Sequence, residues 1–125
     1  PHLFVEDLSV QSIAAARTAY LTTDLRARLA RYHDDPDSAF FGWNDIWLDP
    51  AFRGFDIRAE CGRITAPVLA IQGADDSYGT LRQIEEIEPS GTIERAVLAQ
   101  CGHSPHKDQP ELTKERIAQF LRPIG

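Results

Sequence analysis

Two turns in this sequence carry residues able to exchange a proton. One is Gly73-Ala74-Asp75-Asp76, directly after the apolar run at 67–72. The other is Gly102-His103, just beyond the apolar run at 93–98. An imidazole titrates near neutral pH and acts as a general base once its ring is oriented. A carboxylate accepting from that ring fixes its tautomer and stabilises the imidazolium as it forms. On this reading Asp76 is the acid and His103 the base. Each also has a plainer use. Asp75 or Asp76 would cap a helix starting near Tyr78, and a loop histidine is often only a solvated side chain.

The elements around the turns decide whether these residues can meet. Both apolar runs are short, end abruptly in turn residues and read as buried strands. Between them, residues 78–91 read as a helix stopped by Pro89 and Gly91. After the second turn, Asp108-Gln109-Pro110-Glu111 has the form of a capping box. It would open a last helix with Leu112, Ile117, Phe120 and Leu121 on one face. Strand–helix–strand–helix with crossover-length connections implies parallel pairing. Both turns then leave the same end of the sheet, where open α/β folds carry their sites.

The first half of the chain reads as helical. Ser9 is a candidate N-cap for a helix carrying Ile13, Ala14, Ala16 and Tyr20 at helical spacing. A second helix has Asp24 near its start and Leu25, Leu29 and Tyr32 on one stripe. Asp35-Pro36 opens a third, which carries Phe40, Phe41, Trp43 and Trp47 before residues 48–55 break it. No strand is expected over residues 9–55. The aromatic cluster, with Phe52 and Phe55, would pack a helical subdomain or line a substrate pocket. Trp43 and Trp47 are taken as the substrate-facing pair.

With ITAPVLAIQGADD and then LAQCGHSPHKDQPELTKERIAQFL, the chain resembles the C-terminal portion of an α/β-hydrolase over residues 64–122. The resemblance implies an α/β fold in which two parallel strands with helices follow a helical cap. It makes Asp76 the acid of a Ser-Asp-His triad, in Gly-x-x-Asp, and His103 its base, in Gly-His. The implied organisation is residues 1–8 as the end of a sheet element, 9–63 as the cap or lid, and 64–125 as the last part of the core. One part of the pattern is missing. The nucleophile elbow Gly-x-Ser-x-Gly does not occur, and Ser9, Ser12, Ser38, Ser77, Ser90 and Ser104 all lack its glycines. Triad order in this fold is nucleophile, acid, base, so the serine and the oxyanion-hole groups are expected upstream of Pro1. An apolar opening at residues 1–5 and a count of no methionine fit a fragment.

The implied activity is acyl transfer on a small carboxylic ester, or cleavage of a ketone at a carbon–carbon bond, with no cofactor and no metal. Two other chemistries are weighed. His103, His106 and Asp108 contain metal-competent groups but lack a strong zinc spacing. Cys101 could be a nucleophile beside His103, but residues two apart on an extended segment need not meet, and a small buried cysteine is commoner. A reading of another class is a non-catalytic lid or assembly module. The chain alone is expected to be inactive, and either to sit beside an N-terminal segment bearing the nucleophile or to self-associate through an exposed strand edge.

Composition narrows the partners. Asp and Glu number 19 against 13 Lys and Arg, a net charge of −6, which disfavours binding to a phosphate backbone. No apolar run approaches the roughly 20 residues that span a bilayer, and the first residues do not resemble a charged-then-apolar leader. Two cysteines, Cys61 and Cys101, do not make a disulfide framework and suit a reducing compartment. The expected setting is the cytoplasm, without nucleic acid or membrane.

Overall fold

A computed structural model of the chain describes residues 2–122. Pro1, where the apolar opening begins, and residues 123–125 lie outside them. The chain divides into two compact units, Val5–Phe55 and a second made of residues 2–4 with the chain from Asp56 onward.

The first unit is helical and holds no strand among its residues. Helix α1 runs Asp7–Thr22 and buries Ser9, Ile13 and Tyr20. It starts one turn earlier than the sequence suggests. Ser9 is not its N-cap but lies wholly buried inside it, and Asp7 instead puts negative charge in the first turn. Helix α2, Leu25–Leu29, is a single short turn with no side-chain cap from Asp24. Tyr32, expected on its buried stripe, lies beyond its end and is exposed. Helix α3, Pro36–Leu48, begins as expected: the Asp35 carboxylate accepts from the Ser38 N–H at 3.0 Å.

Polar pins and stacked rings join these helices. Buried Asn44 of α3 donates to the Ile13 carbonyl of α1 at 3.0 Å and accepts from Arg17 at 3.1 Å. Asp37 accepts from the Tyr20 hydroxyl at 2.5 Å and from both arms of Arg26 at 2.8 Å. The Arg26 and Tyr20 hydrogen bonds hold its carboxyl at about 2. Tyr20 stacks on Phe40 with centroids 4.0 Å apart, and Trp43 meets Phe40 edge-on. After α3, a 3-10 turn at Pro50–Gly54 lets Phe52 stack on Phe55, with Trp47 edge-on to both.

The second unit is built on two strands. Helix α4 (Arg58–Cys61) precedes β1 (Val68–Gly73), and α5 (Arg82–Glu85) precedes β2 (Ile93–Leu98). Then come α6 (Pro105–Asp108) and α7 (Pro110–Leu121). The strands pair in parallel from Val68↔Ile93 to Gly73↔Leu98, as the strand–helix–strand order requires. Alternation sends Ala70 toward Leu3, Phe4, Cys61, Ile84, Ile87 and Ile93 on one face. Leu69 and Ile71 go to the other, with Ala96, Leu98, Cys101 and Leu112 of α7. Residues 3 and 4 are tied in by an antiparallel bridge from Phe4 to Asp56. Buried Gln83 completes the tie, accepting from the Leu3 N–H at 2.7 Å and donating to the Phe4 carbonyl at 3.1 Å.

Two local expectations fail for the same reason: a side chain bonds a backbone group across elements rather than within one. The helix read over 78–91 shrinks to the four residues of α5. Arg95 of β2 donates to the carbonyls of Ile84, Glu85 and Ile87 and satisfies the end of that turn. The capping box is not formed either. Asp108 closes α6, and its carboxylate accepts from the Gly102 N–H at 2.9 Å. Gln109 precedes α7 without a side-chain cap. On α7, Leu112 packs, but Ile117 and Leu121 of the expected apolar face are exposed.

The strand ends come unusually close at Gly73. A Cβ there would lie 2.1 Å from the Cys101 carbonyl oxygen and 2.2 Å from that of Gly102, contacts that only backbone displacement relieves. Gly42, inside α3, has nothing within 4 Å of the same position. Opposite effects are expected in urea unfolding. G73A should lose about 3 kcal/mol, at the upper end of overpacking costs, whereas G42A should gain about 0.5–1 kcal/mol from helix propensity. A neutral G73A would show that the close approach is not required.

Candidate active site

Backbone bonds continue past the ends of both strands and clamp the two turns together. The Ala74 N–H donates to the Leu98 carbonyl at 2.8 Å, and the Asp75 N–H to the Cys101 carbonyl at 2.9 Å. The turn after β2 needs Gln100 at φ 52°, a left-handed conformation uncommon for residues other than glycine. Gln109 holds it, donating to the carbonyls of Ala99 and Gln100, both at 3.1 Å. With Asp108 fixing the Gly102 N–H and Thr113 donating to the Pro105 carbonyl at 3.0 Å, the loop bearing His103 is braced on both sides.

The structure brings Asp76 and His103 together. Nδ1 of His103 lies 3.0 Å from both carboxylate oxygens of Asp76. A carboxylate only accepts, so Nδ1 carries the proton and Nε2 is left as the basic nitrogen. The Asp76 side chain is 4% exposed and that of His103 44%, so the acid is sheltered and the ring reaches solvent. Tyr78 and His2 flank the ring at centroid distances of 4.9 and 5.7 Å. His2 donates from Nε2 to the Tyr78 carbonyl at 2.8 Å.

Asp76 combines both uses considered for it. Its Oδ1 accepts from the Tyr78 N–H at 2.9 Å, closing the turn, while both oxygens face His103. Burial works to raise its pKa. The hydrogen bonds from Tyr78, His103 and Gln72 outweigh burial and hold the carboxyl below its usual range. Asp75 is exposed.

The remaining candidates fall elsewhere. Trp43 and Trp47 belong to the helical unit, where both pack against its phenylalanines. His106 is exposed on α6, and the Asp108 carboxylate is occupied by Gly102. Cys101 is 1% exposed in the apolar layer beside Leu98. Burial pushes its thiol up, and the charges of Asp108, Asp75 and Asp76 push it further, which is the reverse of what a thiolate nucleophile requires. Sequence reasoning passed over Gln72, the clamp of Asp108 and Gln109, and the flanking His2 and Tyr78. Only Gln72 offered a signal: an amide inside an apolar strand, just before the turn.

No protein-family model matches the sequence, and no curated protein does. Among solved structures, the chain is similar to a hydrolase from Pseudomonas aeruginosa PA01, at 17% identity and a TM-score of 0.51. The match covers 97% of this chain and 52% of that one. It is also similar to VinJ, at 20% identity and a TM-score of 0.54, covering 98% of this chain and 50% of VinJ. The chain thus spans about half the length of both. Its fold is that of the C-terminal part of an α/β-hydrolase, with two parallel sheet strands and helices following a helical segment.

A buried, raised thiol should be inert. In the native chain at pH 8, Cys101 is expected to react with iodoacetamide no faster than the protein opens. Rapid stoichiometric labelling of Cys101, read by mass spectrometry, would restore it as a candidate nucleophile.

Proposed function

We propose that this chain supplies the acid and base of a serine hydrolase acting by acyl transfer. The observation that carries the reading is the sheltered Asp76 carboxylate with both oxygens 3.0 Å from Nδ1 of His103. In this reading a serine preceding Pro1 attacks a carbonyl carbon, and Nε2 of His103 takes its proton. Asp76 keeps the ring in the Nδ1–H tautomer and stabilises the imidazolium. The proton passes to the leaving group, and water, deprotonated by the same nitrogen, releases the acyl group. The substrate class is a small carboxylic ester, or a ketone cleaved at a carbon–carbon bond. No residue in the scheme calls for a metal or organic cofactor.

In the same reading residues 9–63 are the lid, and Trp43 and Trp47 are its substrate-facing pair. The open edge of β1 receives the segment carrying the serine, or a second copy of the chain when that segment is absent. Free Cys61 and Cys101 fit a reducing cytoplasm. Among the described residues no helix is long and apolar enough to cross a membrane.

The test compares two proteins on p-nitrophenyl esters: residues 1–125 alone, and the chain extended upstream to include a nucleophile elbow. The extended protein should turn over ester, with D76N lowering kcat by about 10⁴-fold and H103A by at least as much. Residues 1–125 should show no turnover. A monomer of 1–125 with esterase activity lost on H103A would contradict a serine preceding Pro1.

A further inference from the structure

Gln72 stands four residues before Asp76, at the end of β1, and is 2% exposed. Its side-chain nitrogen lies 3.0 Å from the Gly79 carbonyl, 3.1 Å from the Thr80 carbonyl and 3.3 Å from Oδ2 of Asp76. All three are acceptors, which settles the amide orientation: reversed, the Gln72 oxygen would face three oxygens. The cost falls on Oε1, which is buried and has no hydrogen-bond partner among the described residues. An apolar side chain of the same length would fill the space without that unsatisfied carbonyl. It would also leave the buried Gly79 carbonyl without this donor, so the role of the amide lies in the groups it reaches: that carbonyl, the Thr80 carbonyl and the Asp76 carboxylate.

The two hydrogens of the amide span the turn that leaves the acid. They bind its far side, at Gly79 and Thr80, and the carboxylate itself. The Tyr78 N–H, one residue before Gly79, donates to the other carboxylate oxygen. Both oxygens of Asp76 are thus held from the protein side while their remaining faces meet His103. We propose that Gln72 is a positioning residue, whose buried amide fixes the 76–80 turn and aims the Asp76 carboxylate at Nδ1 of His103. This rests on the reading of Asp76 and His103 as acid and base, and it adds a group that acts through Asp76 without touching substrate.

The test follows two signals by NMR in the 125-residue chain: the Asp76 carboxyl carbon and the side-chain amide protons of Gln72. In the unmodified chain the Gln72 amide protons should shift with the same midpoint as the Asp76 carboxyl. In Q72M, which keeps length and volume but donates nothing, Asp76 should titrate at higher pH than in the parent. H103A, which removes the other partner, should also raise it. A Q72M shift with a melting temperature near that of the parent separates positioning from mere packing. Gln72 amide protons that do not respond to Asp76 overturn the proposal without any variant. An Asp76 midpoint unchanged in Q72M but raised in H103A overturns it while leaving the acid–base pair standing. A midpoint unchanged in both removes the pair, and the proposal with it.

Discussion

The contact between the Gly73 backbone and the carbonyls of Cys101 and Gly102 is the constraint on which the site depends. Parallel pairing from Val68↔Ile93 to Gly73↔Leu98 brings two strand ends level. Parallel ladders, however, do not by themselves join the loops beyond them. Here the absence of a Cβ at Gly73 lets the second loop settle directly against the first, and the Asp75 N–H then reaches the Cys101 carbonyl. Asp76 and His103, 27 positions apart, meet as a result. A side chain at position 73 would move one loop away from the other by more than a hydrogen bond tolerates.

Holding a sheltered carboxylate in its charged form is the second requirement. Burial alone would favour the protonated acid, which could not fix the imidazole as a base needs. Donors from Tyr78, His103 and Gln72 reverse that preference. The arrangement is asymmetric: main chain and a buried amide hold the acid from within, while a ring more than two-fifths exposed faces outward. A proton can then be exchanged at Nε2 without disturbing what holds Nδ1.

How much of this was legible in sequence depends on whether a local pattern signals the contact. Strands β1 and β2 were readable because short apolar runs bounded by turn residues are local signals. The start of α3 was readable because Asp35 caps a backbone group three residues away. The meeting of Asp76 with His103 followed from the strand order together with the Gly-x-x-Asp and Gly-His turns. What escaped was set by side chains that bond across elements rather than within one. Arg95 ends α5 from the neighbouring strand, and Asp108 turns from a helix cap to Gly102. Gln72 did carry a signal, an amide inside an apolar run just before a turn, but only the folded turn shows its three acceptors. Ser9 misled: a good capping residue lies buried inside α1.

The most direct test of the Asp76–His103 pair is the low-field proton spectrum of the chain. A proton on Nδ1 shared with a sheltered carboxylate should give a resonance well downfield of the backbone amides. It should be assignable to His103 by nitrogen-15 labelling and be absent in D76N. A His103 Nδ1–H that exchanges with solvent too fast to see, or one unaltered by D76N, would contradict the pairing from which the proposed chemistry is drawn.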